Sequence, residues 1–442
     1  MIEARILKGF RDFLPASEIE RKVLTEKAEN IFRMFGYVPI DTPALEYTDI
    51  LLGKGGGETE KQIYRFKDNG GRDVALRFDL TVPFARFVAL HKDDLCFPFK
   101  RYHIAKVWRG ENTQRGRYRE FTQCDFDCIG IDNAAADFEI LFLIHSALLA
   151  VKNAAATIRV NHRGLFNRFL KNIGASEKSA DVLRTVDKLA KIGQDEVQKQ
   201  LTELLDAKRA KTILNYVQPL GLEDIRSIKP KESWEETLCA MTKAAGGEDS
   251  DTERLKNIRQ FMIDTGTEDN FVLDPSITRG LDYYTGIVFE TFLTSLPLIG
   301  SVCSGGRYDN LMGLYSKDAL SGVGASIGLD RLIAALESLN LIESTKTYAK
   351  ICIANLDETK TGLYQQLATN IRALNIPCEV LCEAKKQLSQ FIDAEKKGAS
   401  WVLLPSQDDP VNGKFTLRNL SARQNKEGLL VHDIKLALSS NE

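Results

Sequence analysis

The sequence lacks any long hydrophobic run, although 43% of its 442 residues are hydrophobic. No segment approaches the ~20 consecutive apolar residues of a membrane-spanning helix, and residues 1–10 lack the hydrophobic centre of a signal peptide. Neither charge is in excess, since 59 basic and 61 acidic side chains leave a net charge of -2. We therefore expect a cytoplasmic protein without membrane contact, whose binding of nucleic acid would depend on local patches.

Closely spaced metal-binding cysteines are absent as well. The chain has 8 cysteines, but none forms a C-x-x-C pair or lies beside paired histidines. Structural zinc sites need such pairs, so reduced and mostly buried thiols are the simpler expectation. Two nucleotide-binding signatures are also missing: residues 53–57 read as a turn rather than a phosphate loop, and residues 321–337 do not fit the dinucleotide fingerprint.

The most informative segment is residues 101–130, which alternate as two strands around a polar turn. The period of two places Phe121, Gln123 and Asp127 on one face of the return strand, with Arg109 at the turn. The opposite face is packable, so the pattern predicts a β-hairpin with one polar face. Such a face is often only solvated. The combination of an aromatic ring, an amide, carboxylates and an arginine favours a site for a ligand that carries both charges.

These residues resemble motif 2 of the class II aminoacyl-tRNA synthetases, and Gln123 with Asp127 resembles the version found in histidyl-tRNA synthetases. Residues 279–286 and 305–309 resemble the two peptides that mark the histidine-specific family. Residues 321–337 run from small residues into a helix and resemble motif 3. Residues 37–46 resemble motif 1. Without the family, the same pattern would also fit a surface edge strand.

The resemblance implies an α+β fold with an antiparallel-sheet class II catalytic domain, a helical insertion and a C-terminal α/β domain. We assign the catalytic core to residues 1–164 and 266–340. Residues 165–265 change to charged amphipathic helices and predict the insertion. Within it, the spacing predicts helices over residues 179–192 and 195–216.

Residues 350–442 alternate strands with helices, which predicts a small α/β domain. The pattern resembles the anticodon-binding domain shared by several class II synthetases. A generic α/β module would show the same alternation. We expect its last helix over residues 429–438.

The reaction implied by the resemblance has two steps. The carboxylate of L-histidine attacks the α-phosphorus of ATP, which gives histidyl-adenylate and pyrophosphate; a ribose hydroxyl at the 3′ end of tRNA(His) then attacks the adenylate. Such transfers depend on positioning and on cations rather than on a protein nucleophile. Mg²⁺ would bridge phosphate oxygens, and motif 1 implies a homodimer.

The resemblance assigns five side chains to ATP. Arg109 would clamp the α-phosphate, because a guanidinium can bind a phosphate through two donors. Arg279 would contact the α-phosphate and the substrate carboxylate from the opposite side. Phe121 would stack on adenine, and Glu111 would bind the adenine amino group or a magnesium-bound water. Arg331 would bind the γ-phosphate; the alternative is a surface arginine in a first helical turn, which is unfavourable without an anion.

Other side chains are assigned to histidine. The ammonium group would be held by a carboxylate, a hydroxyl and an amide, those of Asp79, Thr81 and Gln123. Asp127 would accept from one ring nitrogen, and the hydroxyl of Tyr284, next to Tyr283, would satisfy the other. Taken without the family, the pattern favours Asp79 as a helix cap over a binding residue.

Two questions stay open at the level of sequence. Gln114 lies in the turn of the hairpin and is a candidate contact for the tRNA acceptor end, but a solvated glutamine is equally consistent. The whole chain has an alternative as a catalytically silent regulatory subunit of histidine biosynthesis. Such relatives lack the C-terminal domain and have eroded signature peptides, so the presence of Arg109, Arg279 and Arg331 favours the ligase.

Overall fold

The computed structural model describes residues 1–53, 58–152, 154–217, 233–278, 283–317, 320–342 and 345–439. The chain divides into two compact units, which are Met1–Arg11 with Leu24–Ile342, and Asp12–Val23 with Glu343–Glu442. None of the described helices combines the length and the apolarity needed to cross a membrane. The turn expected around residues 53–57 lies largely outside the described residues.

The first unit contains most of the regular structure. Its strands are β1 (Val38–Pro39), β2 (Leu45–Tyr47), β3 (Arg65–Lys67), β4 (Asp73–Leu76), β5 (Phe99–Trp108), β6 (Glu120–Ile129), β7 (Ala156–His162), β8 (Phe271–Leu273), β9 (Ile287–Leu293), β10 (Cys303–Arg307) and β11 (Gly322–Gly328). Its helices are α1 (Pro15–Met34), which belongs to this unit from Leu24 onward, α2 (Thr48–Leu52), α3 (Glu58–Gln62), α4 (Thr81–Leu90), α5 (Ala134–Ala150), α6 (Arg163–Asn172), α7 (Ser179–Val186), α8 (Leu189–Ile192), α9 (Gln194–Leu204), α10 (Ala207–Val217), α11 (Trp234–Ala244), α12 (Ser250–Asp264) and α13 (Leu329–Ser338).

An 8-stranded sheet organises this unit, with the order β1-β5-β6-β11-β10-β9-β7-β8. The strands from β5 to β7 pair antiparallel, and only the two edge pairs, β1 with β5 and β7 with β8, are parallel. A separate 3-stranded sheet has the order β2-β4-β3. The predicted antiparallel-sheet α+β class is confirmed.

The predicted hairpin is formed by β5 and β6. Its register pairs Arg101 with Asp127 and Tyr102 with Phe126, so the two faces alternate as the sequence indicated. On the apolar face Phe126 packs against Phe32 of α1, with 4.9 Å between the ring centroids. The helices α1 and α5 therefore cover one face of the sheet, which leaves the other face for the site.

The helical segment is more broken than its spacing predicted. Two helices, α7 and α8, replace the single helix expected over residues 179–192, and α9 with α10 replaces the one expected over residues 195–216. The second break has a local cause, since the carboxylate of Asp206 accepts a hydrogen bond of 2.8 Å from the backbone N–H of Arg209 and caps a new helix. Leu214 of this segment and Phe289 of the sheet belong to one continuous hydrophobic cluster.

The second unit contains β12 (Ile351–Ile353), α14 (Thr361–Arg372), β13 (Cys378–Val380), α15 (Gln387–Lys397), β14 (Trp401–Leu404), β15 (Phe415–Asn419), β16 (Asn425–Leu429) and α16 (Ile434–Ser439). Its sheet has the order β13-β12-β14-β15-β16, with the first three strands parallel. The helix expected over residues 429–438 is wrong at its start. Leu429 is instead the last residue of β16, where it pairs with Phe415 of β15, and α16 begins only at Ile434.

Candidate active site

The polar face of the hairpin is buried instead of solvated. Asp125 is 1% exposed and Asp127 is 2% exposed, while Arg101 is fully buried at 0%. Charged groups are costly to bury unless partners or ligands compensate them. The purely solvated alternative is therefore wrong for this face.

Asp127 is held by two protein groups. The hydroxyl of Tyr308 donates a hydrogen bond of 2.5 Å to Oδ1, and Nη2 of Arg101 lies 2.7 Å from Oδ2. The guanidinium of Arg101 lies 4.2 Å from the ring centre of Phe84 and donates to the carbonyl of Leu80 at 3.3 Å. Burial raises the pKa of Asp127, and Arg101 and the Tyr308 hydroxyl oppose that rise.

Two glycines keep the floor beside Asp127 open. Gly324 of β11 pairs with Asp127, and a Cβ at this glycine would lie 1.9 Å from Oδ1 of the aspartate. Gly306 of β10 pairs with Gly324, and a Cβ there would lie 3.0 Å from Cδ1 of Tyr284. Only glycine allows side chains to lie this close to the backbone of the sheet.

Asp79 joins the same site and also caps a helix. One of its oxygens accepts from the backbone N–H of Val82 at 3.1 Å, and the other lies 3.5 Å from the hydroxyl of Tyr283. Thr81 is hydrogen bonded to the same tyrosine. Burial raises the pKa of Asp79 to about 6, against the Val82 hydrogen bond and the charges of the nearby arginines. The cap and the binding role are therefore compatible.

Tyr284 completes the group expected to bind histidine. Its ring meets that of Tyr283 edge-on, with 5.0 Å between the centroids. Burial raises the pKa of its hydroxyl, and the nearby carboxylates of Asp127, Asp125 and Asp79 raise it further. The hydroxyl of Tyr284 therefore lies among the acidic groups of the site.

Gln123 shows an unsatisfied acceptor. Its Nε2 donates a hydrogen bond of 2.6 Å to the hydroxyl of Ser326. Its Oε1 is buried and has no hydrogen-bond partner in the part of the chain that the structure describes. Nearby Asp125 shares a side-chain hydrogen bond with Ser326; burial raises the pKa of Asp125 to about 7, which Arg101 opposes and Asp127 reinforces.

The residues expected to bind ATP begin at the turn end of the hairpin. Nε of Arg109 donates to the carbonyl of Phe78 at 2.8 Å, and its guanidinium lies 5.2 Å from the ring centre of Phe121. Glu111 forms an ion pair of 3.2 Å with Arg117. The structure thus places an arginine, an aromatic ring and a carboxylate together.

Arg331 lies in the first turn of α13, beside the turn of the hairpin. Its Nη1 donates to the carbonyl of Ser301 at 2.6 Å, and a Cβ on Gly116 would lie 3.3 Å from its Cα. The carboxylate of Asp330 also accepts from the backbone N–H of Thr122 at 2.7 Å, which ties the helix to β6. Arg331 is therefore next to the hairpin, as motif 3 implied.

Two of the expected residues are less defined. The side chain of Gln114 is exposed, and its backbone pairs with Arg117 within the turn. Arg279 lies outside the described residues, so its role stays a prediction. In the described ranges, no group of three His, Cys, Asp or Glu side chains is placed to hold a metal ion.

Three residues that contact the predicted site residues had no role predicted from the sequence. Arg101 was only the start of the hairpin, although the strand register follows from the turn and puts it opposite Asp127. Tyr308 belongs to the second histidine-specific peptide, but the sequence does not indicate which residue it contacts. Ser326 was one small residue among others before α13, and nothing local distinguished it.

The comparisons with known proteins agree on one family. The family model described as histidyl-tRNA synthetase matches residues 9–332. A histidine–tRNA ligase of Treponema denticola is 53% identical over 443 residues, covering 98% of both chains. One from Treponema pallidum is 48% identical and covers 99% of this chain and 98% of its own. The crystal structure of a histidyl-tRNA synthetase from Nostoc sp. superposes with a TM-score of 0.87 at 27% identity, covering 100% of both chains.

Proposed function

This chain belongs to the histidyl-tRNA synthetase family, and on that basis we propose that it is a histidine–tRNA ligase that forms histidyl-adenylate from L-histidine and ATP and transfers histidine to the 3′ end of tRNA(His). The observation that carries the proposal is the buried acidic and amide group beside Arg109. Asp79 and Asp127 lie near Tyr284, and the Oε1 of Gln123, which is on the same strand as Asp127, has no partner among the described residues.

Histidine fits this group by charge and by hydrogen bonding. Its ammonium group would lie near Asp79, Thr81 and the open Oε1 of Gln123. Its imidazole would lie between Asp127 and the hydroxyl of Tyr284, with Tyr283 beside it. Because these partners are buried, an apolar amino acid would leave them unpaired, which is worth a discrimination of roughly 10⁴ or more.

ATP would lie toward the turn of the hairpin. Arg109 would bind the α-phosphate, while Phe121 would stack on adenine and Arg331 would bind the γ-phosphate. The hydrogen bond from Nε of Arg109 to the carbonyl of Phe78 leaves its two terminal nitrogens available for a phosphate. Arg279 would contact the α-phosphate from the opposite side.

Mg²⁺ fits this chain as an ion held mainly by the substrate. Magnesium commonly takes one or two carboxylates together with phosphate oxygens and waters. Glu111 is a partly exposed carboxylate at the turn, and its ion pair with Arg117 leaves it able to accept from a magnesium-bound water or from the adenine amino group. The ion would offset the negative charge that develops on the phosphates.

The remaining parts of the proposal concern tRNA and assembly. Gln114, exposed in the turn, would contact the acceptor end of tRNA(His). The division into a core (1–164 and 266–340), an insertion (165–265) and an anticodon-binding domain (350–442) belongs to the proposal, as do a homodimer built on motif 1 and a cytoplasmic location.

The ligase is supported over the silent regulatory subunit by two observations. The curated relatives at 53% and 48% identity are histidine–tRNA ligases and match almost the whole chain. Arg109 and Arg331 are also both present beside the hairpin, where a protein that only binds histidine has no need of phosphate ligands.

Histidine-dependent exchange between pyrophosphate and ATP tests the proposal. We expect exchange in the presence of Mg²⁺ and no exchange with glutamine or phenylalanine. Arg109→Lys should lower the exchange rate about 10²-fold with little change in histidine affinity, because lysine cannot bind a phosphate through two donors. Arg72→Lys is the control, since Arg72 pairs with Asp68 at an exposed site. A chain that binds histidine without any exchange would be the silent relative instead.

A further inference from the structure

Ser326 of β11 lies beside two polar side chains of the neighbouring strand β6, those of Asp125 and Gln123. It pairs with Asp125 in the register of β11 and β6, and Gln123 lies two positions from Asp125 on the same face. The hydroxyl of Ser326 accepts a hydrogen bond of 2.6 Å from Nε2 of Gln123 and shares a hydrogen bond with the carboxylate of Asp125. The three side chains therefore form one chain of hydrogen bonds.

The chemistry of the groups fixes the direction of this chain. Above the pKa of Asp125, which is about 7, its carboxylate is ionised and only accepts hydrogen bonds, so the single hydroxyl proton of Ser326 goes to Asp125. The same hydroxyl can then only accept from Gln123, which requires the NH₂ side of the amide. As a result Oε1 of Gln123 points the other way, and it has no partner among the described residues.

The charges around Asp125 come from several elements. On β5 these groups are Arg101, which is paired with Asp127, and His103, whose pKa is lowered to about 4 by burial and by nearby arginines. The others are Arg77 after β4, Asp127 on β6, Asp79 before α4, Cys303 on β10, and Tyr284. His103 is thus neutral near pH 7, and Arg101 is the main cation that favours the ionised form of Asp125.

We propose that Asp125 and Ser326 are positioning residues that orient the amide of Gln123, so that its Oε1 accepts a hydrogen bond from the ammonium group of histidine. If the amide were reversed, its NH₂ group would face the ammonium group, and two donors would be opposed. Ser326 and Asp125 act only through Gln123 and need not touch the substrate. The inference rests on the proposed function, because it assigns a step in the recognition of histidine.

Substitutions at Ser326 test the relay in pyrophosphate exchange. Ser326→Ala removes the link, and we expect the KM for histidine to rise about tenfold while the KM for ATP stays within twofold. Ser326→Thr keeps the hydroxyl and should restore the KM for histidine to within about threefold of the unchanged chain. Ser338→Ala is the control, since that hydroxyl donates to the helical carbonyl of Ala334.

A histidine analogue without the ammonium group separates positioning from general damage to the site. We expect Ser326→Ala to weaken histidine binding about tenfold in calorimetry and to leave the affinity for 3-(imidazol-4-yl)propionate unchanged. The effect should also depend on pH. As Asp125 is protonated through its pKa of about 7, the ratio of the KM values of Ser326→Ala and the unchanged chain should fall toward one.

The outcomes distinguish the inference from the proposed function. If the unchanged chain shows no histidine-dependent exchange, the proposed function is wrong. If it is active and Ser326→Ala keeps the original KM for histidine, the relay is wrong. Equal losses in Ser326→Thr and Ser326→Ala, or equal losses for histidine and its deaminated analogue, would also overturn the relay. If Ser326→Ala does not fold, the Asp79→Asn chain decides, because it lacks the other carboxylate that titrates near the ammonium group. The relay predicts that its affinity for histidine, relative to the analogue, still falls as the pH decreases through about 7, and a constant ratio overturns the relay.

Discussion

The hydroxyl of Tyr308 donates a hydrogen bond of 2.5 Å to Oδ1 of Asp127, which joins two residues 181 positions apart in the chain. The other oxygen of the same carboxylate lies 2.7 Å from Nη2 of Arg101. Both partners are buried, so they fix the position of the carboxylate before a substrate arrives. A site fixed in advance loses less entropy when it binds.

Removal of the Tyr308 hydroxyl should weaken histidine binding selectively. A hydrogen bond to a charged group is worth about 1.5–3 kcal/mol, so we expect Tyr308→Phe to raise the KM for histidine at least about tenfold. The KM for ATP should stay within twofold. Tyr37→Phe is a matched control, because it removes a buried hydroxyl that bonds Glu139 instead of the site. Equal effects of both changes on histidine binding would contradict the role of Tyr308.

The floor of the site should not tolerate a methyl group at Gly324. Its Cβ would lie 1.9 Å from Oδ1 of Asp127, so the carboxylate or the strand must move. We expect Gly324→Ala to lower histidine affinity more than about 100-fold, as measured by calorimetry. Gly362→Ala is the control, since a Cβ there meets nothing within 4 Å. Unchanged affinity in Gly324→Ala would mean that histidine does not bind beside Asp127.

Histidine recognition should depend on pH through Asp79. Its pKa is raised to about 6, so the carboxylate is charged above pH 6 and neutral below it. Asp79→Asn should therefore raise the KM for histidine at pH 8, where it removes a charge that attracts the ammonium group. Below pH 6 the ratio of the two KM values should approach one. Free histidine titrates in the same range, but that effect is common to both proteins and cancels in the ratio. A ratio that does not vary between pH 5.5 and 8 would exclude Asp79 as the charged partner.

A buried ion network should dominate the stability of the first unit. The carboxylate of Asp137 bonds Nη2 of Arg307 at 2.7 Å and Nε of Arg254 at 2.5 Å. Asp137→Ala would leave two guanidinium groups without this carboxylate, and breaking a buried pair costs about 3–5 kcal/mol. We expect the free energy of unfolding in urea to fall by that amount. Asp269→Asn at an exposed position is the control, and a loss below about 1 kcal/mol in Asp137→Ala would contradict the prediction.

The sequence predicted those parts of the fold that depend on local pattern. The alternation of β5 and β6 gave the hairpin and its polar face, and small residues before Leu329 gave the strand that leads into α13. The partners of Asp127 were not predictable in this way, because Tyr308 reaches it across 181 positions and its geometry depends on tertiary packing. Local hydrogen bonding and strand pairing also overrode helical spacing, as the cap at Asp206 and the pairing of Leu429 with Phe415 show. The roles of the site residues stay predictions, while their contacts with Arg101, Tyr308 and Ser326 depend on tertiary packing that the local pattern does not contain.

The hairpin carries Gln123 and Phe121 on one strand and Arg109 at the end of the other. Two positions along a strand span about 7 Å, and neither strand can slide without breaking the ladder between them. The hairpin consequently fixes the distance between the part of the site proposed for the amino acid and the part proposed for the nucleotide. With histidine and ATP bound as proposed, we therefore expect a homologue of histidine that is one methylene longer to place its carboxylate out of line with the α-phosphorus, so that the length of the amino acid would be selected as well as its ring.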